Sequence, residues 1–112
     1  MTVKELTEKI QWDLASGSGE KEITSAYVCD LLSWVMAHGQ PGTAWVTVQT
    51  HENVLAVASL HDFACVIIPD KLELSDKFIS LAKDKGISVI IASCTAYGVA
   101  KALGNLGVSE VS

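Results

Sequence analysis

The chain has 112 residues, enough for one domain with its own core and too long to need the disulfide or metal staple usual below about 40 residues. Eight basic residues against 13 acidic ones give a net charge of −5, and the basic residues are scattered singly, which excludes the cationic stripe of a nucleic-acid binder. Hydrophobic content of 49 %, charged content of 19 % and a mean hydropathy of +0.33 exclude disorder. They also imply more apolar surface than a small monomer hides, so a homo-oligomer such as a dimer is expected.

In chain order, Val3, Leu6 and Ile10 recur at helical spacing and predict an amphipathic helix from Thr2 to Gln11, followed by a short strand over Trp12–Ala15. Ser16-Gly17-Ser18-Gly19 reads as a turn inside a single domain spanning residues 1–112. Glu22–Cys29, rich in β-branched and aromatic residues, reads as a strand, and Asp30 as the cap of a helix over Leu31–His38 closed by Gly39. After the turn Gln40-Pro41-Gly42-Thr43 come a strand at Ala44–Gln49 and a helix at Glu52–Leu60 with little polar surface. The alternation repeats with a strand at Phe63–Ile68, a helix at Ser75–Lys85, a strand at Ile87–Ala92 and a helix at Thr95–Leu103. Strands alternating with helices long enough for crossovers predict a three-layer α/β/α fold with a short, mainly parallel sheet of about four to five strands. The unbroken apolar runs at Cys65–Ile68 and Val89–Ala92 suit strands buried on both faces.

Neither run approaches the ~20 residues of a membrane-spanning helix, and the first residues lack the apolar core of a signal peptide, so a cytoplasmic protein is expected. Cys29, Cys65 and Cys94 form no CxxC or CxxH motif, so no metal site and no cofactor is expected. Cys65 starts a buried strand and reads as a small hydrophobe. Cys29 and Cys94 end two strands, and form a candidate redox pair if those strands are neighbours. Trp12, Trp34 and Trp45 serve packing or an interface.

In a parallel sheet, ligands lie beyond the carboxyl ends of the strands, where helix N-termini present N–H groups. The loops expected there contribute Asp30, Thr50, His51, Ser93 and Thr95 as candidate ligand-binding residues. Helix capping competes as the role of Asp30, Thr50 and either Ser93 or Thr95. His51 titrates near neutrality when unperturbed, so a bound anion is expected to gain affinity as pH falls through about 6.5. His61 lies ~15 Å away, at the far end of the same helix, too far to share a metal. His38, before Gly39, complements the dipole of its helix.

The series Tyr27-Val28-Cys29-Asp30, Gln40-Pro41-Gly42-Thr43-Ala44-Trp45-Val46-Thr47, Val54…Ala58-Ser59 and Phe63-Ala64-Cys65-Val66-Ile67-Ile68 resembles the DRTGG domain family. It is similar to the N-terminal domain of HPr kinase/phosphorylase and, more distantly, to the N-terminal domain of Mur ligases. The resemblance covers residues 20–105, but the string that names the family is absent. Pro69-Asp70-Lys71 stands where a Gly-Gly turn is expected. The resemblance implies a regulatory or docking module, and stand-alone members occur near iron hydrogenases and redox regulators. No GxxxxGK[ST], no G-x-S-x-G and no nucleophile paired with a base occurs, so no enzyme is expected. The leading expectation is a non-catalytic regulatory module binding a small anionic metabolite or nucleotide, with the link to redox or hydrogenase metabolism that the resemblance implies. The alternatives are a ligand-free interaction subunit of a redox enzyme complex and, third, an iron–sulfur or thiol redox protein using Cys29 and Cys94.

Overall fold

The computed structural model describes residues 1–111. Thr2 caps the first helix, α1 (Val3–Ile10), in a reciprocal box: its hydroxyl accepts from the Glu5 N–H, and the Glu5 carboxylate accepts from the Thr2 N–H. The Thr2 N–H and then its hydroxyl hold the Glu5 carboxyl below its ordinary value of 4.5. After α1 come β1 (Asp13–Ser16) and β2 (Ser25–Val28), and from there strand and helix alternate. The order is α2 (Leu32–His38), β3 (Thr43–Val46), α3 (Asn53–Leu60), β4 (Cys65–Ile68), α4 (Asp76–Lys85), β5 (Val89–Ile91) and α5 (Ala96–Asn105).

The five strands form one sheet in the order β1-β5-β4-β3-β2. Every neighbouring pair from β5 to β2 is parallel, as helical crossovers require, and only β1 runs antiparallel against β5. This is the mainly parallel α/β architecture that the alternation predicts.

Because side chains alternate across a sheet, each central strand feeds two cores. Ala44 and Val46 of β3, Cys65 and Ile67 of β4 and Ile90 of β5 meet α1 and α5, through Val3, Leu6, Val99 and Leu103. Trp45, Val66, Ile68 and Val89 face the other way, onto α2, α3 and α4, through Val35, Val54, Leu55, Val57, Ala58, Phe78 and Ala82. All eight residues of β3 and β4 are buried, which is why these strands read as continuous apolar runs rather than alternating ones.

The strands are shorter than their sequence pattern suggests. Glu22 leaves the expected second strand to bridge Thr2, so β2 begins only at Ser25. At the far end of β3, the Thr47 N–H still reaches the Ile67 carbonyl, but the Val48 N–H turns to the Asp30 carboxylate and the ladder stops. Of the tryptophans, Trp12 and Trp45 are buried, whereas Trp34 on α2 is exposed with Leu31 and Met36. The His38 ring lies tilted against Trp34, with centroids 4.3 Å apart, and its Nδ1 is 2.9 Å from the Trp34 carbonyl, at the helix end where a C-terminal histidine is expected. Among the described residues no helix is long and apolar enough to cross a membrane.

Candidate ligand site at the carboxyl edge of the sheet

Four loops leave the carboxyl ends of β2, β3, β4 and β5 and meet along one edge. They hold all five candidate residues, but not in one cluster. Asp30 follows β2 and Ser93 follows β5, three strand spacings away, or about 14 Å at roughly 4.8 Å per strand.

Asp30 does not cap the next helix. The N-cap of α2 is Leu31, with no side-chain bond. The Asp30 carboxylate instead accepts from the Thr47 hydroxyl at 2.8 Å and from the Val48 N–H at 2.9 Å, tying the loop after β2 to the loop after β3. A carboxylate with partners left over from a neighbouring strand end satisfies them first, because leaving those donors unpaired costs more than losing a cap. Thr50 does not cap α3 either. The N-cap is Glu52, which makes no side-chain bond, and His51 just before it lends its Nδ1 as acceptor to the Asn53 N–H at 3.1 Å. With Nδ1 as acceptor, the neutral ring carries its proton on Nε2, which is the donor His51 offers to the edge. Of Ser93 and Thr95, Thr95 is the cap, its hydroxyl accepting from the Gly98 N–H at 3.1 Å. The hydroxyls of Thr50 and Ser93 bond to no group among the described residues and are exposed.

Between these loops lies Pro69-Asp70-Lys71, a loop expected at this edge but one that contributed no candidate residue. Asp70 and Lys71, after β4, both adopt left-handed backbone, with φ of 60° and 50°. This conformation costs an L-residue about 1–2 kcal/mol and persists only where the surroundings impose it, often at ligand sites. Here two hydrogen bonds to the loop after β5 impose it, Asp70 N–H to the Cys94 carbonyl and Lys71 N–H to the Ala92 carbonyl. The turn thus keeps the backbone that a Gly-Gly pair adopts freely, but its two amides are already bonded, so what it offers an anion is the Lys71 ammonium. Lys71 makes no ion pair among the described residues, whereas Lys77 on α4 is held by Glu52 at 3.0 Å. Since β4 lies between β3 and β5, Lys71 stands between Thr50 and His51 on one side and Ser93 on the other, a span of about 10 Å by strand spacing. No sequence signal marks it, because a single exposed lysine resembles any other.

Cys29 and Cys94 do not converge. Three strand spacings separate β2 from β5, and the two thiols pack on opposite faces, Cys29 with the α2–α4 core and Cys94 with the α1–α5 core. A thiol pair within one chain is therefore ruled out by the strand order. Among the described residues, no three His, Cys, Asp or Glu side chains group as metal ligands. Cys65 is fully buried and burial pushes its thiol up to about 12. Alkylation of the native protein should accordingly add two adducts, on the partly exposed Cys29 and Cys94, and a third only in denaturant. Native labelling of Cys65 at the rate of the other two, seen by peptide mass analysis, would contradict its placement.

The chain is thus a three-layer α/β module whose polar loops gather along the carboxyl edge of its sheet. No protein-family model and no curated protein matches the sequence. Among solved structures, the chain is similar to the CBS and DRTGG domains of the regulatory region of Clostridium perfringens pyrophosphatase, crystallised with its activator diadenosine tetraphosphate. The TM-score is 0.71 at 12 % identity. The match covers 91 % of this chain and 45 % of that one, so this chain spans less than half the length of its neighbour. At that identity the likeness speaks for the fold.

Proposed function

We propose that this chain is a non-catalytic regulatory module of the DRTGG type that binds a small anionic metabolite or nucleotide at the carboxyl edge. The observation that carries the reading is the Asp70-Lys71 turn, where left-handed backbone presents an unpaired ammonium between the Thr50-His51 and Ser93 loops. An anion there is attracted by Lys71, accepts from His51 Nε2–H and from the Thr50 and Ser93 hydroxyls, and lies near the N-terminus of α5, which favours negative charge. Asp30 stands apart from this group, its carboxylate engaged by Thr47 and Val48. The fold neighbour, a regulatory region crystallised with a nucleotide activator, supports the choice of ligand class.

Melting curves with inorganic phosphate, AMP, ADP, ATP and diadenosine tetraphosphate test this, because a ligand that binds only the folded state raises the melting temperature. At least one is expected to do so, and to shift the amide resonances of residues 50–53, 71 and 93–95. Lys71→Gly removes the charge while suiting the backbone, so it should fold at least as well yet bind about tenfold more weakly, as loss of one hydrogen bond between charged groups implies. His51→Ala should weaken binding as well. No shift with any of the five at millimolar concentration, or unchanged affinity in both variants, would overturn the reading.

A further inference from the structure

A concave feature lies away from this edge, between α5, the outer strand β2 and the segment that follows α5. It is a cleft of about 360 Å³, walled by Ala26 and Val28 of β2, by Ala100, Leu103 and Gly104 of α5, and by Glu110. That volume falls in the range of about 300–1,000 Å³ found for small-molecule sites. The cleft depends on how α5 ends. Gly107, at φ 87°, reverses the chain; its N–H bonds the Gly104 carbonyl and the Val108 N–H bonds the Leu103 carbonyl. The tail then runs parallel to β2, with the Ala26 N–H bonding the Ser109 carbonyl and the Val111 N–H bonding the Ala26 carbonyl. Tail and helix are thereby held on either side of a gap, with Glu110 beside it.

Two features of this gap lack a structural role. Gly104 lies within α5, where glycine weakens a helix relative to alanine. The reversal is made by Gly107, and a Cβ at Gly104 would meet nothing within 4 Å. The other glycine of α5, Gly98, sits in tight surroundings, where a Cβ would lie 3.0 Å from the Cys94 Cβ. Glu110, for its part, has no ion pair or hydrogen bond from its side chain among the described residues. On the strand side, Ala26 turns its N–H and carbonyl outward to the tail. By the alternation of a strand, the Val28 backbone two residues on faces the same side, and Val28 lines the cleft, which makes its carbonyl an available acceptor.

We propose that this cleft is a second ligand site, distinct from the carboxyl edge, that takes a small molecule with an apolar body and a cationic amine. The apolar body lies against Ala100 and Leu103 in the space left open by Gly104, and the amine donates to the Glu110 carboxylate and the Val28 carbonyl. The charge of the cleft is the reverse of that at Lys71, so the two sites select opposite ligands. One wall is the tail, so occupancy also fixes the tail on β2.

Tryptamine is a suitable probe, with indole-3-propionate as its acidic counterpart of similar body. Tryptamine, titrated into the whole chain and followed by amide NMR, is expected to shift residues 26–28 and 100–110 and to leave residues 50–53 and 93–95 still. Glu110→Gln should weaken it about tenfold, and indole-3-propionate should bind at least tenfold more weakly. Gly104→Leu should abolish the shifts, its fold checked by its melting temperature; if that variant fails to fold, Gly104→Ala should weaken binding in the same sense. Shifts absent from residues 26–28 and 100–110, equal binding of amine and acid, or affinity unchanged by Glu110→Gln would each overturn the proposal. None of these results bears on anion binding at Lys71, whose resonances and variants are separate.

Discussion

Trp45→Ala is expected to destabilise the fold more than any other single truncation. Trp45 is the largest fully buried side chain, central in β3. Its ring packs edge-on against Phe63 at 5.8 Å, and its Nε1–H donates to the Cys29 carbonyl at 2.8 Å, fastening the end of β2 to β3. Truncating a buried tryptophan costs about 3–5 kcal/mol, from lost burial and from the cavity left behind. Against a total of about 5–15 kcal/mol for a domain, that is a large share of the margin. The Cys29 carbonyl also loses its partner, which adds to the cost. Urea unfolding followed by circular dichroism should show a loss of at least 3 kcal/mol. Trp45→Phe should fall in between, because it keeps one ring in the cavity while losing the bond to Cys29 and part of the indole volume. A loss below 1 kcal/mol for Trp45→Ala would mean that the ring does not hold this place.

Gly17→Ala is expected to be the most damaging small substitution, and its effect separates two causes. Gly17 has φ 85°, so any side chain there carries the left-handed cost of about 1–2 kcal/mol. It also approaches the start of β5 so closely that a Cβ would lie 2.6 Å from the Ser88 Cα and 2.8 Å from the Ser88 nitrogen. Those are backbone atoms that no rotamer change can remove. Ser88 is pinned besides, since its hydroxyl receives the Gly19 N–H at 3.3 Å and the neighbouring Ile87 carbonyl receives the Ser16 hydroxyl at 2.8 Å. Relief would mean pulling β1 away from β5. Gly86→Ala is the control: its φ is 69°, but a Cβ there meets nothing within 4 Å. Gly86→Ala should therefore cost only the conformational part, about 1 kcal/mol, and Gly17→Ala at least 2 kcal/mol more, as overpacking typically costs. Equal losses in the two variants, measured by thermal and urea unfolding, would show that the contact with Ser88 is not tight.

Much of the architecture was legible in the residues because it depends on local period. The apolar steps of Val3, Leu6 and Ile10, the breaks at Gly39, Pro69 and Gly86 and the solid runs of β4 and β5 are short-range signals, each tied to one element. The continuous run Cys65–Ile68 even revealed that the sheet is covered on both faces, because only a strand buried twice lacks polar alternation. Thr95 as a cap and Cys65 as a buried hydrophobe belong to the same class. Element ends were less legible. β2 and β3 are shorter than their patterns because Glu22 and Val48 take partners far away in sequence, in Thr2 and Asp30.

Strand order belongs to the tertiary structure alone, and with it most of the chemistry. Loop composition does not say whether β2 lies beside β5, and its place three strands away separates Cys29 from Cys94 and Asp30 from Ser93. The same order sets β4 between β3 and β5, which brings Lys71 between His51 and Ser93. Competition for hydrogen bonds is equally non-local: Asp30 leaves its helix for Thr47 and Val48. The cleft beside Glu110 exists only once residues 109–111 lie along β2, a pairing with Ala26 across more than eighty residues of chain. Which segments become strands and helices, and which faces are buried, can be read along the chain because they follow from periods of two and of about 3.6 residues. Which loop ends are neighbours depends on how the crossovers stack, and a site is made of neighbours.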